Sequence, residues 1–258
     1  MTSAMTSGAW AVRLGDRPAP VRLFCFPYAG GGAAVFRRWP AALPGVEVYA
    51  IRLPGRENRF CEPLLTSHDG LPERLADALR PLLDRPYALF GHSLGALLAY
   101  ETARLLRPAH LFVGGSRAPH LPRPATAPDV AGLDDAAFTA MVREMGGTPP
   151  EFFGSAELAE LLLPVLRADF GLAEAYRHRP GPPLEAPITA LRGADEDVTP
   201  AMARAWAPHT AAGFALHEFP GGHFFLQDGW ERVCRLVAQN LPAATPLRSA
   251  GSPDRIAW

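Results

Sequence analysis

The stretch Gly91-His92-Ser93-Leu94-Gly95 lies between an apolar run, Tyr87 to Phe90, and a run with helical spacing, "ALLAYETARLL", that ends before Pro108. A strand that turns into a helix within so few residues leaves room only for glycine on either side of the central residue. That geometry exposes a serine above the edge of a sheet, the arrangement of a nucleophile elbow. The five-residue pattern alone is weak: with 24 glycines in 258 residues, chance supplies it about 0.1 times per chain. The strand before it and the helix after it carry the reading.

The rest of the chain alternates in the same way, the pattern of a mostly parallel sheet with helices on both faces. "VRLFCF" (21–26), "VEVYAIRL" (46–53), "YALF" (87–90), "HLFVGG" (110–115), "ITALRG" (188–193) and "FALHEF" (214–219) read as strands. "LPERLADALRPLL" (71–83), "AMARAWAPH" (201–209) and "DGWERVCRLVAQNL" (228–241) read as the intervening helices. From about 117 to 185 the alternation stops, and helical stretches near 134–145 and 156–177 predict a helical insertion. The tail after 242, rich in Pro, Ser and Ala, is expected to be flexible. The whole chain, 1–258, is expected to form a single α/β domain.

Composition narrows the function classes. A net charge of −1 gives no general attraction to nucleic acid. No segment approaches the roughly 18 continuous apolar residues of a membrane span, and the N-terminus lacks a basic start followed by an apolar core. A cytoplasmic monomer is the expectation. Cys25, Cys61 and Cys234 are odd in number, scattered and without metal-ligand spacing, so they read as reduced bystanders. No metal is called for.

A serine hydroxyl becomes a nucleophile only when a histidine takes its proton and a carboxylate fixes that histidine's tautomer. In this kind of sheet the chain order is serine, carboxylate, histidine. His223, freed by two glycines in "FPGGHFF", follows the last strand and is the expected base. His217 falls inside a strand pattern, His209 ends a surface helix, and His92 is expected to pack or cap. "RGADED" offers Asp195, Glu196 and Asp197. The carboxylate must clear the glycine turn, which favours Asp197 and keeps Asp195 as the alternative.

The glycines of "FCFPYAGGGAAVF" (24–36) ask what the backbone approaches so closely there. A dinucleotide fingerprint fails, because counting from Gly30 its last glycine position is Val35, and a Gly-Lys-Ser/Thr phosphate loop is missing. The loop fits an oxyanion hole instead, one N–H coming from this turn and one from the residue after the nucleophile. The expected donors are the backbone N–H groups of Ala29 and Leu94.

Six segments together resemble the type II, stand-alone editing thioesterases of polyketide synthase and nonribosomal peptide synthetase clusters. They are "FCFPYAGGGAAVFRRWP", "VYAIRLPGRENRF", "YALFGHSLGALLAYETARLL", "LLPVLRADFGLAEAYRH", "ITALRGADEDVTP" and "FPGGHFFL", spread over about residues 20–240. The resemblance implies an α/β-hydrolase fold, a mobile helical lid over 117–185 and Ser93, Asp197 and His223 as the triad. It also implies hydrolysis of acyl thioesters from the phosphopantetheine arm of carrier proteins, with no cofactor of the enzyme's own. In "GADED" many relatives have a second glycine before the first Asp, a departure that bears on the choice of acid.

Arg37, Arg38, Arg56 and Arg59 are candidates for a contact with an acidic carrier protein or the arm's phosphate, or are ordinary solvated surface. Met141, Met145, Phe152, Phe153 and Phe170 are candidates for an acyl pocket, or form the core of the insertion itself. Rival readings are a general esterase, a thioesterase that ends fatty-acid synthesis and a non-catalytic carrier-binding protein. The last would tolerate loss of Ser93.

Overall fold

A computed structural model describes residues 10–124, 129–148 and 153–242. The tail from 243 and Phe152 lie outside the described residues. Seven strands, β1 (Ala11–Leu14), β2 (Val21–Phe26), β3 (Val46–Ile51), β4 (Tyr87–His92), β5 (His110–Gly114), β6 (Ile188–Gly193) and β7 (Phe214–Phe219), form one sheet in the order β1-β3-β2-β4-β5-β6-β7. All neighbours are parallel except β1, which pairs antiparallel with β3 at the edge.

Both faces are covered, which is why the central strands read as continuous apolar runs. On β2 the side chains alternate between two cores. Phe24 and Phe26 pack with α1 (Leu71–Leu79) and α2 (Leu94–Leu105) through Leu75, Leu79 and Leu98. Leu23 and Cys25 pack on the other face with Trp39 and with Val233 and Val237 of the helix Trp230–Asn240. The cysteines are free thiols. Burial raises the pKa of Cys25 and lifts that of Cys234 to about 12, so both stay protonated.

The strand order reverses between β2 and β4: the chain steps from β2 out to β3, then returns to the far side of β2. At such a switch point the segments leaving the carboxyl ends of the two central strands diverge and open a crevice. The glycine loop leaves β2 and the Ser93 corner leaves β4, so one crevice receives both.

Between β5 and β6 the described residues contain no strand. Numbering helices in chain order, α3 is Asp135–Met145 and α4 is Ala156–Ala175. Each starts where a side chain satisfies an otherwise free N–H: Asp134 accepts from the Ala137 N–H and Ser155 from the Leu158 N–H. The insertion has a small core of its own, built from Val130, Phe138, Val142 and Leu166.

Two of the buried histidines, His110 and His209, illustrate a pH limit on the fold. His110 of β5 bonds to the Thr189 hydroxyl at 2.8 Å and stacks on Phe112, and burial pushes its pKa down to about 4. His209, contrary to its expected surface position, is buried; it bonds to the Tyr100 hydroxyl at 3.0 Å and to His120 at 2.7 Å. Burial first, and then the neighbouring His120, His178 and Arg104, lower its pKa to about 4 as well. Both are neutral in the folded chain and take up a proton near pH 6.5 when unfolded. Their stabilisation is therefore complete above pH 6.5 and lost as pH falls toward 4. Urea unfolding between pH 7 and 4.5 should show stability falling by on the order of 1–2 kcal/mol per pH unit. His110→Gln should flatten that slope, and an unchanged slope would mean that His110 titrates alike in both states.

Candidate active site

The corner after β4 has the backbone its sequence demands. Ser93 has φ 56° and ψ −119°, one of two non-glycine residues with positive φ among the described residues. Its N–H donates to the Gly114 carbonyl at 2.8 Å, which ties the corner to β5. A side chain on Gly91 would overlap the Gly95 backbone, and one on Gly95 would overlap the carbonyl of Phe26. Such strain in a non-glycine residue persists only where the surroundings over-determine it, and here it lifts the hydroxyl off the sheet edge.

Ser93 lines a cavity of about 60 Å³ together with Tyr28, Ala29, Leu94, Met145, Phe170, His223 and Phe224. The structure thus brings Ser93, His223 and both expected N–H donors to one site. A larger groove, about 800 Å³, lies at the opposite end of α2, roughly 18 Å from Ser93 by helix rise. Its Ser67 hydroxyl is bonded to Asp69 and its His68 ring to the Leu172 carbonyl, so that serine and histidine are not coupled. It has no arrangement for nucleophilic chemistry.

His223 Nδ1 lies 2.9 Å from Oε2 of Glu196, whose side chain is 0% exposed. Asp197, the expected acid, is exposed, and so is its alternative, Asp195. The correction has a local cause. The turn after β6 is stitched to the loop after β7 by bonds from the Ala194 N–H to the Phe219 carbonyl at 2.8 Å and from the Asp195 N–H to the Gly221 carbonyl at 3.0 Å. Within it Glu196 folds back, and its Oε1 accepts from the Gly193 N–H at 2.8 Å. The longer side chain at the middle position reaches the histidine while its two neighbours face water.

The other histidines separate cleanly. His217 is exposed on the edge strand β7. His92 is fully buried, and its Nε2 donates to the His223 carbonyl at 2.8 Å, which ties down the backbone of that residue. Burial, reinforced by the adjacent His223 ring, holds its pKa well below the ordinary value, so it acts as a neutral donor.

Of the four candidate arginines, Arg37 and Arg38 are exposed, with Arg38 over the Trp230 ring at 4.5 Å. Arg56 and Arg59 are not available to a partner. Arg56 is 7% exposed and ion-paired with Asp169 at 2.8 Å. Arg59 is 2% exposed, bonded to Glu62 and to the Arg52 carbonyl, and stacked on Trp10 at 4.2 Å. Met145 and Phe170 line the Ser93 cavity. Met141 and Phe153 pack into the core of the insertion, as Phe170 also does.

A mostly parallel sheet with a serine elbow at its switch point, and a histidine that lines the same cavity while bonded to a buried carboxylate behind it, defines the α/β-hydrolase class. Within that class the sequence matches the thioesterase domain family over residues 21–241, and the chain belongs to that family. The thioesterase PikA5 of Streptomyces venezuelae is 42% identical over 96% of this chain and 89% of its own. A Brevibacillus parabrevis protein named linear gramicidin dehydrogenase LgrE is 43% identical over 86% of this chain and 88% of its own. Among solved structures, the type II thioesterase BorB of the borrelidin cluster superposes with a TM-score of 0.83 at 39% identity, covering 91% of this chain and 98% of its own. The protein is a thioester hydrolase of the type II group.

Proposed function

We propose that the protein releases acyl groups from the phosphopantetheine arm of carrier proteins in polyketide or nonribosomal peptide assembly, clearing chains that have stalled or been wrongly loaded. Ser93 attacks the thioester carbonyl while His223 takes its proton. Glu196 holds the imidazole in the productive tautomer and stabilises the imidazolium. The N–H groups of Ala29 and Leu94 bind the oxyanion, and the pantetheine thiol leaves with the proton from His223. Water, activated by the same histidine, then cleaves the acyl-serine. A thiol, with a pKa near 8.5 on the cysteine reference, is a far better leaving group than an amine, so no metal or other cofactor of the enzyme is required.

The observation that supports this reading most is the His223–Glu196 pair at 2.9 Å beside the Ser93 elbow, in a chain of the thioesterase family. The small cavity favours short acyl groups over the long chains of a fatty-acid terminator. The insertion 117–185 serves as the lid, and the carrier docks where the exposed Arg37 and Arg38 can meet its acidic surface. The protein works as a cytoplasmic monomer, where such carriers act; no helix among the described residues is long and apolar enough to cross a membrane.

The test compares one short acyl group presented on carrier protein and on free pantetheine. An apolar pocket separates chains by only about 1–3 kcal/mol per methylene, so an enzyme that accepts many stalled chains must place recognition on the part they share. The carrier-bound substrate should be favoured by about ten-fold or more in kcat/KM, equivalent to about 1.4 kcal/mol. Arg37→Glu with Arg38→Glu should raise KM for the carrier substrate and spare the free thioester. Equal kcat/KM for the two substrates would turn the reading toward a general esterase.

A further inference from the structure

Asp169 is a carboxylate on an otherwise apolar stripe of α4, which it shares with Val165, Leu166 and Leu172, and it is 2% exposed. No step above uses it. Its Oδ1 accepts from Nη2 of Arg56 at 2.8 Å, and its Oδ2 accepts from Nη1 of Arg56 at 2.8 Å and from the backbone N–H of Gly30 at 2.7 Å. Nη1 of Arg56 also donates to the Gly31 carbonyl at 2.9 Å. Gly30 and Gly31 belong to the turn that carries Ala29. That turn is closed by the Gly31 N–H on the Tyr28 carbonyl at 2.9 Å, with Gly30 at φ 76°, the left-handed conformation a type II turn needs at its third position. Leu166 of α4 occupies the place a Gly30 side chain would take. The helical insertion thus grips the turn at an N–H directly, at a carbonyl through Arg56, and by contact through Leu166.

We infer that Asp169 is a positioning residue for thioester hydrolysis: with Arg56 it fixes the Tyr28–Gly31 turn so that the Ala29 N–H meets the oxyanion, and completion of the oxyanion hole therefore requires α4 to be seated. This rests on the Ala29 assignment proposed above. A buried ion pair is a poor source of stability, because desolvation offsets its attraction, but it fixes geometry in a way an apolar pair does not. Oxyanion stabilisation depends on donors that are already in place, and a displacement of about 1 Å costs on the order of 10²-fold in rate. With α4 unseated, Gly30 would lose its acceptor and Gly31 its tethered donor.

The experiment uses the full chain, a short acyl-pantetheine thioester and four variants. Asp169→Asn should lower kcat by about ten- to hundred-fold and leave KM within about three-fold, because the oxyanion forms only beyond the ground state. Ala29→Pro removes the N–H itself at a turn position that favours proline, and should cost about 10²–10³-fold in kcat. The double variant Asp169→Asn with Ala29→Pro should be no slower than Ala29→Pro alone, since Asp169 acts through that N–H. If Asp169→Asn fails to fold, Arg56→Met with Asp169→Leu removes both charges together and is read in the same way. A folded variant lacking the Asp169 charge with kcat within about two-fold of wild type, or losses that multiply in the double variant, would overturn the inference and leave the Ala29 assignment standing. An Ala29→Pro enzyme with near-normal kcat would instead sink that assignment, and the inference with it.

Discussion

Ser93→Ala is expected to lower the turnover of acyl thioesters by about 10⁴- to 10⁶-fold, a loss of about 5–8 kcal/mol of transition-state stabilisation. Without the hydroxyl no acyl-enzyme forms, and only direct attack by water in front of the oxyanion donors remains. The protein should stay folded. Alanine carries the same Cβ as serine and meets the same cost at φ 56°, and the bond that ties the corner to β5 comes from the residue 93 backbone rather than its side chain. Steady-state hydrolysis, with a thermal melt on the same sample, separates loss of chemistry from loss of fold. A fluorophosphonate should label Ser93 in the wild type and fail to label the variant. Turnover within about ten-fold of wild type, or labelling at another serine, would remove Ser93 from the mechanism.

The second large effect discriminates among three consecutive carboxylates. Glu196→Gln should reduce kcat by about 10³- to 10⁴-fold, because an amide nitrogen facing Nδ1 of His223 selects the wrong imidazole tautomer and supplies no charge to the imidazolium. The amide oxygen can still accept from the Gly193 N–H, so the turn itself should persist. Asp195→Asn and Asp197→Asn should each stay within about three-fold of wild type, since both residues are exposed and the carboxylate bonded to the ring is that of Glu196. A larger loss from Asp197→Asn than from Glu196→Gln would return the role to Asp197.

Much of the site could be read in the sequence because its parts are local. A glycine on each side of Ser93, a strand before and a helix after are consequences of one tight corner, and all lie within about twenty residues. The glycine loop belongs to the same class of feature, since a third turn residue at positive φ announces itself as glycine. The six longer strands of the sheet were legible as short runs rich in apolar and β-branched or aromatic residues that alternate with helical stretches. Only β1, four residues of which one is buried and one exposed at an antiparallel edge, lacked a signal, because an edge strand is defined by the partner it finds.

The sequence by itself determined the elbow, the glycine turn after β2, the parallel sheet and the place of His223 after the last strand. Tertiary structure alone decided which carboxylate meets His223. Neighbouring residues in a tight turn point in different directions according to backbone angles, and contacts with residues 219–221 of a later loop set those angles here. Tertiary structure also decided that Arg56 lies inside the protein and is unavailable to a partner. An arginine is buried only if an opposite charge arrives to meet it, and Asp169 comes from 113 positions further along the chain. No local pattern encodes that meeting: the energy that favours it exists only where α4 packs on the turn and water is excluded from both groups.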